Sequence, residues 1–385
     1  MGLARGTMQS RLDIAARYGM LLDHVPAMPG FEIARVTTTE GADGSLKGRS
    51  IVQRPQAGNA FALPDGHRVK GVSVLLDEEG RERVRWVKTR EGDLDPEWLA
   101  TRIKEIFENL SPAAVVAPPA YADDNLLTVY PIADAHVGMR AWERETGENY
   151  DTDIAVSRLR DWIGRLVASS PPSKEAVILD VGDLMHADDS TNQTPASKHV
   201  LDVDGRYFRT LEMTIAALAD AVELALAKHE TVNVAIIPGN HNPHSFMAVM
   251  FALAERYRKN PRVTVRKDPQ EFWTRRFGDC LLSAHHGDKA KPERLVMFLA
   301  DEHAEDWGST KHRFLWTGHL HHHKSADVGG VKWEQLRAMT SRDAYAFTRA
   351  YSARAQLQAI TLHRTEGEIQ RAMVSSYSKM SGPTP

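Results

Sequence analysis

At residues 178–183 the chain reads Ile178-Leu179-Asp180-Val181-Gly182-Asp183, an apolar run that ends in a glycine and a carboxylate. With Ala176 at its start, the run has the length and composition of a buried strand. Ligand sites in open α/β sheets lie beyond the carboxyl ends of the strands, so Asp183 stands where a functional side chain is expected. The glycine permits a tight turn at that point. The stretch therefore predicts a sheet with a polar site at its edge.

Four further pieces of the chain place polar residues where a strand is expected to end. In order they are Asp134-Ala135-His136, Gly239-Asn240-His241, His285-His286-Gly287-Asp288 and Gly318-His319-Leu320-His321. Ten of the 17 histidines of the chain lie in or beside the five pieces. Histidines used only for packing would not concentrate in this way, so the five pieces predict one common site.

The ligand chemistry of the five pieces indicates a dinuclear metal site. Oxygen and imidazole nitrogen without sulfur suit Mn²⁺, Fe or Zn²⁺ better than copper or iron–sulfur chemistry. Two-metal hydrolases hold their ions roughly 3.5–4 Å apart, and a carboxylate can bridge them because it offers two oxygens. Water between the ions then loses a proton near neutral pH and becomes the nucleophile. We expect two divalent ions, Mn²⁺ before Fe or Zn²⁺.

Alternating strands and helices after residue 123 predict an α/β fold with mostly parallel strands and helices outside. Strands are predicted at 126–133, 176–181, 232–237, 280–284, 313–316, 333–337, 357–362 and 370–374, and helices at 153–167, 206–229, 245–258 and 292–302. Residues 111–123, with Pro118 and Pro119, read as a linker. They separate a small N-terminal α+β region, 26–110, from a catalytic domain, 124–380.

The region before the linker carries weaker signals. A hairpin is predicted over 68–89, and helices are predicted over 7–19 and 95–109, whereas residues 37–66 give no clear pattern. Residues 1–25 resemble part of a helix-turn-helix, in which Arg5, Arg11 and Arg17 would contact DNA. The helix that should precede the turn is missing from this sequence, so either the start is truncated or the resemblance is chance.

In their motifs and their order, the five pieces resemble the pattern of the calcineurin-like metallophosphoesterase superfamily: Asp-x-His, Gly-Asp, Gly-Asn-His, a lone His and Gly-His-x-His. The resemblance covers residues 126–323 and implies two mixed β-sheets flanked by helices. It also implies that His241 acts as the catalytic acid and that Asp183 bridges the metals. The first metal is implied to lie on Asp134, His136 and His321, and the second on Asn240, His286 and His319.

The chain departs from the superfamily pattern at two positions near the implied catalytic His241. Many members have Asp where this chain has His186, and Asp or Glu where it has Asn242. A carboxylate partner for His241 is therefore in question. His186, or the nearby Asp188 or Asp189, is a candidate substitute. His186, Asn242 and His285 are predicted to support the metal ligands.

Neighbouring histidines in the fourth and fifth pieces need separate readings. His285 and His286 point to opposite faces of a strand, so only one can be a ligand. His286, directly before Gly287, is preferred. His322, His323 and His244 are read as polar loop residues.

The segment 342–354 interleaves Arg342, Arg349 and Arg354 with three aromatic residues. Such a mixture could contact nucleic acid, since arginine binds phosphate and aromatic rings stack on bases. The preferred reading is a loop packed on the second sheet. The long polar loops 137–155 and 185–205 are expected to form walls that restrict the substrate.

Composition sets outer limits on function. The net charge of −3 shows no global basic field for nucleic acid, and a single cysteine excludes a disulfide framework. The N-terminus shows no signal-peptide run and no myristoylation pattern, and no stretch is apolar enough to span a membrane. These features predict a cytoplasmic protein of open oligomeric state, without a membrane partner.

The predicted function is hydrolysis of phosphate esters by attack of a metal-bound hydroxide. A phosphodiesterase or nuclease acting on nucleic acid or nucleotides is preferred, because Asp134-x-His136-x-Gly138 is similar to the form in the DNA exonucleases of the superfamily. Residues near the linker also resemble accessory regions of phage-encoded members. A phosphomonoesterase is the close alternative. A DNA-binding or assembly protein without turnover is the alternative from another class.

Overall fold

The computed structural model describes residues 31–40, 46–55, 67–76, 82–91, 113 and 115–376. The chain divides into two compact units, Met1–Asp95 and Pro96–Pro385. The helices predicted at 7–19 and 95–109, and the three N-terminal arginines, lie outside the described residues. The predicted linker at 111–123 and the other domain limits stay predictions.

The first unit contains two antiparallel hairpins. Strand β1 (Phe31–Glu40) pairs with β2 (Leu46–Pro55), and β3 (His67–Leu76) pairs with β4 (Glu82–Glu91). The second hairpin confirms the prediction over 68–89. The first was missed, and its register shifts at two places. The predicted hairpin has two register shifts as well, so the bulges do not explain the miss. The difference is composition: Thr37-Thr38-Thr39 in β1 and Lys47-Gly48-Arg49-Ser50 in β2 are runs without apolar residues, which hide the alternation of a strand.

The second unit is built around a six-stranded sheet with the order β15-β14-β5-β6-β7-β8. Strands β5 to β8 run parallel, and β14 and β15 are antiparallel additions at one edge. Their bounds are Asp123–Ile132 (β5), Ser173–Asp180 (β6), Thr231–Ile236 (β7), Val263–Val265 (β8), Gln356–His363 (β14) and Gly367–Ser375 (β15).

A second sheet of five strands has the order β12-β13-β11-β10-β9. Its three central strands are parallel and its two edge strands antiparallel. The bounds are Trp273–Phe277 (β9), Cys280–Ala284 (β10), His312–Thr317 (β11), Lys324–Val328 (β12) and Val331–Gln335 (β13). Both sheets are mixed, as the resemblance implies. The short strands β8, β9 and β12 were not predicted.

Helices connect the strands. They are Glu143–Thr146 (α1), Thr152–Ser169 (α2), Tyr207–Leu226 (α3), Ser245–Arg256 (α4), Pro292–Glu302 (α5), Ala304–Ser309 (α6) and Ala344–Thr348 (α7). The four long ones confirm the four helices predicted after residue 123. Among the described residues, no helix is long and apolar enough to cross a membrane.

The alternation of side chains along β6 shows how the layers pack. Val177 and Leu179 lie in the core between the two sheets, whereas Ala176 and Ile178 lie in the core between the first sheet and its helices. A strand covered on both faces reads as a continuous apolar run, which is the pattern seen in the sequence. On the second sheet, Leu315 faces outward and packs with Leu295 of α5. The second unit is therefore a sandwich of two mixed sheets with helices on both outer faces.

A buried histidine joins the first sheet to the end of α3. His229 is fully buried; its Nε2 lies 2.8 Å from the Tyr130 hydroxyl and its Nδ1 lies 2.9 Å from the Ser173 carbonyl oxygen. The neutral ring satisfies both contacts, with Nδ1–H donating to the carbonyl and Nε2 accepting from the hydroxyl. Burial lowers the pKa of His229 to about 4.

We predict that His229 makes the stability of the second unit depend on pH. The unfolded chain binds a proton at this histidine near pH 6.5 and the folded chain only near pH 4, so the free energy of unfolding falls as pH decreases through that window. The full effect is on the order of 3 kcal/mol. Denaturation followed by tryptophan fluorescence in EDTA should show a shallower pH slope for His229→Gln. His303→Gln, a change between α5 and α6 on the second sheet, should keep the wild-type slope. Equal slopes in all three proteins would refute the assignment.

Candidate metal centre

The two sheets bring the five pieces together at their carboxyl edges. Residues after the neighbouring parallel strands β5, β6 and β7 supply one side, and residues after β10 and β11 supply the other. Seven predicted metal ligands, here called the ligand cluster, converge there. They are Asp134, His136, Asp183, Asn240, His286, His319 and His321.

Two groups of metal-type donors form within the ligand cluster. Donor atoms of Asp134, His136 and His321 lie within 4.8 Å of one another, and those of Asp183, His286 and His319 do the same. In the first group the Nε2 atoms of His136 and His321 are 3.1 Å apart, and the His321 Nε2 is 3.5 Å from Asp134 Oδ1. The first group contains the three residues that the resemblance implies for one metal, and the second contains two of the three implied for the other, together with Asp183. Their roles as metal ligands stay predictions.

Asp183 lies between the two groups. Its Oδ2 is 3.2 Å from His286 Nε2 in one group and 3.8 Å from His136 Nε2 in the other. Its Oδ1 accepts a 2.8 Å hydrogen bond from the backbone N–H of His241. One carboxylate therefore faces both groups with the same oxygen while the other oxygen is held by the backbone.

The structure separates the two adjacent histidines of the fourth piece. His286 Nδ1 donates to the Val181 carbonyl oxygen at 2.9 Å, and its Nε2 lies 3.1 Å from Asn240 Oδ1. His285 instead accepts from the backbone N–H of Gly287, and its ring lies against Phe272. The geometry thus brings His286 into the ligand cluster and leaves His285 outside it.

The backbone of the ligand cluster is unusual. Among the described residues, eight that are not glycine have positive φ, and five of them are ligand residues with φ between 43° and 73°. They are Asp134, His136, Asp183, His319 and His321. Such conformations cost free energy and persist only where the surroundings enforce them, which is typical of functional sites.

Two glycines let the backbone approach the ligand residues. A Cβ at Gly239 would overlap the Oδ1 and backbone nitrogen of Asp183, and a Cβ at Gly182 would overlap the ring of His286. Gly239 has no positive φ to explain its presence, so close approach is the physical reason for glycine there. The Gly-Asp and Gly-Asn-His pieces therefore pack in direct contact, an arrangement we call the interlock, with no room for a side chain at position 239.

We predict that Gly239→Ala displaces the Asp183 carboxylate and weakens Mn²⁺ binding at least about tenfold. That figure is the lower end of the loss in metal affinity seen when a residue that positions a metal ligand is changed. Isothermal titration with Mn²⁺ measures the change. Gly308→Ala is the matched control, because a Cβ there meets nothing within 4 Å. Wild-type affinity in Gly239→Ala would contradict the proposed interlock.

His241 is oriented by a backbone carbonyl, which takes the place of the carboxylate partner that the sequence lacks. Its Nδ1 lies 2.8 Å from the carbonyl oxygen of His186. Asp188 is engaged elsewhere: it accepts from the backbone N–H groups of His244 and Ser245 at the start of α4, and its Oδ2 lies 2.5 Å from His244 Nδ1. The carbonyl partner could not be read from the sequence, because every residue offers one.

His186 also contacts the ligand cluster through its side chain. Its Nδ1 lies 3.0 Å from the Nδ1 of His136, and its ring stacks on that of His241. Burial, with repulsion from His241, holds the pKa of both His136 and His186 well below the ordinary value, so both rings are neutral. A neutral His136 that donates from Nδ1 to His186 keeps the Nε2 lone pair free toward His321 and Asp183.

We predict that His186→Phe lowers Mn²⁺ affinity by about 10- to 100-fold, the usual effect of losing the partner that orients a ligating histidine. The phenyl ring preserves the stacking volume while removing the acceptor for His136. Titration calorimetry of the purified protein provides the measurement, and His303→Phe, a change outside the ligand cluster, serves as control. Unchanged affinity in His186→Phe would show that His136 does not depend on this contact.

The donor set fits two divalent cations. Burial alone would raise the pKa of Asp183, but the charge and hydrogen bond of His286 hold it well below its usual range. Burial likewise opposes protonation of His286, yet Asp183 raises its pKa to about 10. Without metal, a proton on His286 supplies the positive charge beside this buried carboxylate. A divalent ion would replace it.

Asn242, the second departure from the superfamily pattern, lies beside the ligand cluster in the chain. It is fully buried, and its amide has no hydrogen-bond partner among the described residues. Its predicted supporting role stays a prediction.

A cavity of about 1600 Å³ opens over the ligand cluster. Residues 194, 197–201, 337–338, 340–343, 345–346 and 350–355 contribute to its walls, together with His322 and His323. Part of the loop 185–205 thus forms a wall, as expected, and of the loop 137–155 only Met139 lines the cavity. The reading of 342–354 as a loop packed on the second sheet is wrong, since Tyr345, Phe347 and Tyr351 are exposed.

Comparison with known proteins yields structural similarities only. No protein-family model matches the sequence, and no curated protein matches it. The structure is similar to a dimetal phosphatase from Danio rerio, at 10% identity over 66% of this chain and 99% of that chain, with a TM-score of 0.37. It is also similar to an archaeal phosphodiesterase, at 10% identity over 65% and 99% with a TM-score of 0.33. A third is a predicted phosphoesterase from Streptococcus pneumoniae, at 11% identity over 65% and 98% with a TM-score of 0.28.

Proposed function

We propose that this chain is a phosphoesterase of the calcineurin-like metallophosphoesterase superfamily that uses two divalent metal ions and prefers phosphodiesters. The observation that carries the proposal is the position of Asp183 between two groups of oxygen and imidazole donors. Each group has the ligand type of a hydrolytic metal, and one carboxylate serves both.

Each side chain of the ligand cluster takes a specific place. Asp134, His136 and His321 would hold one ion, and Asn240, His286 and His319 the other. Asp183 would contact both. Two bound ions supply positive charge to the phosphoryl oxygens and lower the pKa of a coordinated water. Mn²⁺ is the first candidate for a donor set without sulfur.

His241 is the residue proposed to act on the leaving group. Its Nδ1 is held by the His186 carbonyl and its backbone N–H by Asp183, so Nε2 is the ring nitrogen left to face the cavity that His241 lines. A protonated Nε2 would donate its proton to the leaving oxygen as the P–O bond breaks. The carbonyl fixes the tautomer and direction of the ring without adding a negative charge.

The size and charge of the cavity favour a diester over a small monoester. Its volume exceeds the roughly 300–1,000 Å³ of pockets for small ligands. Lys198, Arg337, Arg342 and Arg354 lie in its lining and would attract a polyanion. A phosphomonoesterase would need only the ligand cluster, and an assembly protein without turnover would need neither the ligand cluster nor its strained backbone.

We predict that the Mn²⁺-loaded protein hydrolyses bis-p-nitrophenyl phosphate and single-stranded DNA faster than p-nitrophenyl phosphate. Asp183→Asn should lower kcat by more than about 100-fold, since losing only a supporting partner of a metal site costs up to that factor. Release of nitrophenol and gel analysis of labelled DNA measure the two reactions. Asp279→Asn, which changes a surface carboxylate paired with Lys311, should retain full activity.

Two results would decide against the proposal. Activity on p-nitrophenyl phosphate alone would overturn the preference for diesters and leave the phosphomonoesterase reading. In the second result, the wild type binds two Mn²⁺ ions but is as inactive on every ester as Asp183→Asn. That result would refute the proposal that the protein is an enzyme.

A further inference from the structure

The segment 342–354 is an exposed wall of the cavity that holds the ligand cluster. It contains α7 and the turn that follows, and nine of its residues line the same cavity as Asp183 and His241. Asp343 caps α7 by accepting from the backbone N–H of Ala346, at 2.7 Å. The wall is therefore a defined structure that faces the proposed reaction site.

Tyr351 is the most exposed aromatic side chain of this wall, at 57%. Its backbone N–H donates to the Ala346 carbonyl oxygen, which holds the residue against α7. Within the described residues, its ring makes no aromatic or cation–π contact. By contrast, Tyr345 lies under the guanidinium of Arg349 at 4.4 Å and meets the His199 ring at 5.4 Å. Tyr351 thus presents an open ring in the cavity lining.

Cationic side chains line the same cavity as this open ring. The segment 342–354 carries three arginines against one aspartate. The Arg342 guanidinium contacts the Phe347 ring and donates to the backbone carbonyls of Thr146 and Tyr351, so no carboxylate neutralises it through these contacts. Lys198 and Arg337 lie in the lining of the same cavity. An aromatic surface among cations is the combination that binds single-stranded nucleic acid, since every base has a face to stack and every linkage carries a charge.

We propose that the segment 342–354 binds the unpaired bases of single-stranded nucleic acid, with Tyr351 as the stacking platform. Arg342, Lys198 and Arg337 hold the flanking phosphates, and the strand delivers one phosphodiester to the ligand cluster. This inference rests on the proposed function for the step of hydrolysis but not for the step of binding. It selects single strands because the faces of paired bases are covered by their neighbours in the stack.

Binding of labelled eight-residue strands tests the proposal without turnover. Fluorescence anisotropy in EDTA compares dT8 and rU8 with an abasic DNA strand of the same length and phosphate number. Wild-type protein should bind at least one base-containing strand about 5- to 100-fold tighter than the abasic strand, the range expected for stacking of one base. The tighter of dT8 and rU8 identifies the sugar that the site accepts. An eight-base-pair duplex should bind more weakly than the preferred strand.

Three variants separate stacking from other effects. Tyr351→Ala should bind base-containing and abasic strands alike, whereas Tyr351→Phe keeps the ring and should keep the preference. Tyr121→Ala is the matched control, because Tyr121 is also an exposed tyrosine, at 67%, and does not line this cavity. Circular dichroism should show that all three fold.

The outcomes distinguish this inference from the proposed function. Three outcomes would each overturn the binding of unpaired bases at Tyr351. The wild type binds base-containing and abasic strands equally, it binds the duplex more tightly, or Tyr351→Ala keeps the wild-type preference. Base-dependent binding that Tyr351→Ala abolishes supports it, even if the Mn²⁺-loaded protein proves inactive on every ester. Hydrolysis of bis-p-nitrophenyl phosphate without base-dependent binding would leave the proposed function standing and refute this one.

Discussion

The constraint on which the site depends is the burial of the Asp183 carboxylate between the edges of two sheets. One oxygen accepts from the His241 backbone and the other faces imidazoles that belong to different donor groups. A buried carboxylate is costly unless charges and hydrogen bonds compensate it. The glycine at 239 and the imidazole of His286 provide that environment, one by making room and the other by supplying charge. The geometry of the site thus follows from the need to compensate one buried negative charge.

The arrangement of the two sheets explains how so many side chains reach this buried carboxylate. Parallel strands carry their carboxyl ends to one edge, so β5, β6 and β7 deliver ligands side by side, and β10 and β11 deliver theirs from the facing sheet. Apolar residues on both faces of each central strand anchor the loops. Because the core between the sheets fixes the distance across the site, side chains far apart in the chain reach hydrogen-bond distance of one another.

The sequence predicted the features that depend on local pattern. The central strands, the four long helices and the convergence of the ligand cluster followed from apolar runs that end in Gly-Asp, Gly-Asn-His and related pieces. It missed what depends on partners distant in the chain. Polar runs in β1 and β2 hid the alternation of the first hairpin. The carbonyl of His186 has no residue-specific signal, and the exposure of the Tyr351 ring depends on which other segments pack against it. The prediction of a packed loop at 342–354 was wrong because it assumed that a segment rich in aromatic residues is buried.

The strained backbone of the ligand cluster bears on the stability of the fold. Five ligand residues adopt positive φ, and each such residue costs free energy on the order of 1–3 kcal/mol. In the metal-free protein this cost must be offset by the packing of the two sheets and by the Asp183–His286 pair. Cations that bind the folded chain and not the unfolded one add stability in proportion to the logarithm of their concentration. Under the proposed function, filling the site would therefore raise resistance to unfolding in the same step that makes the ligand cluster competent for hydrolysis.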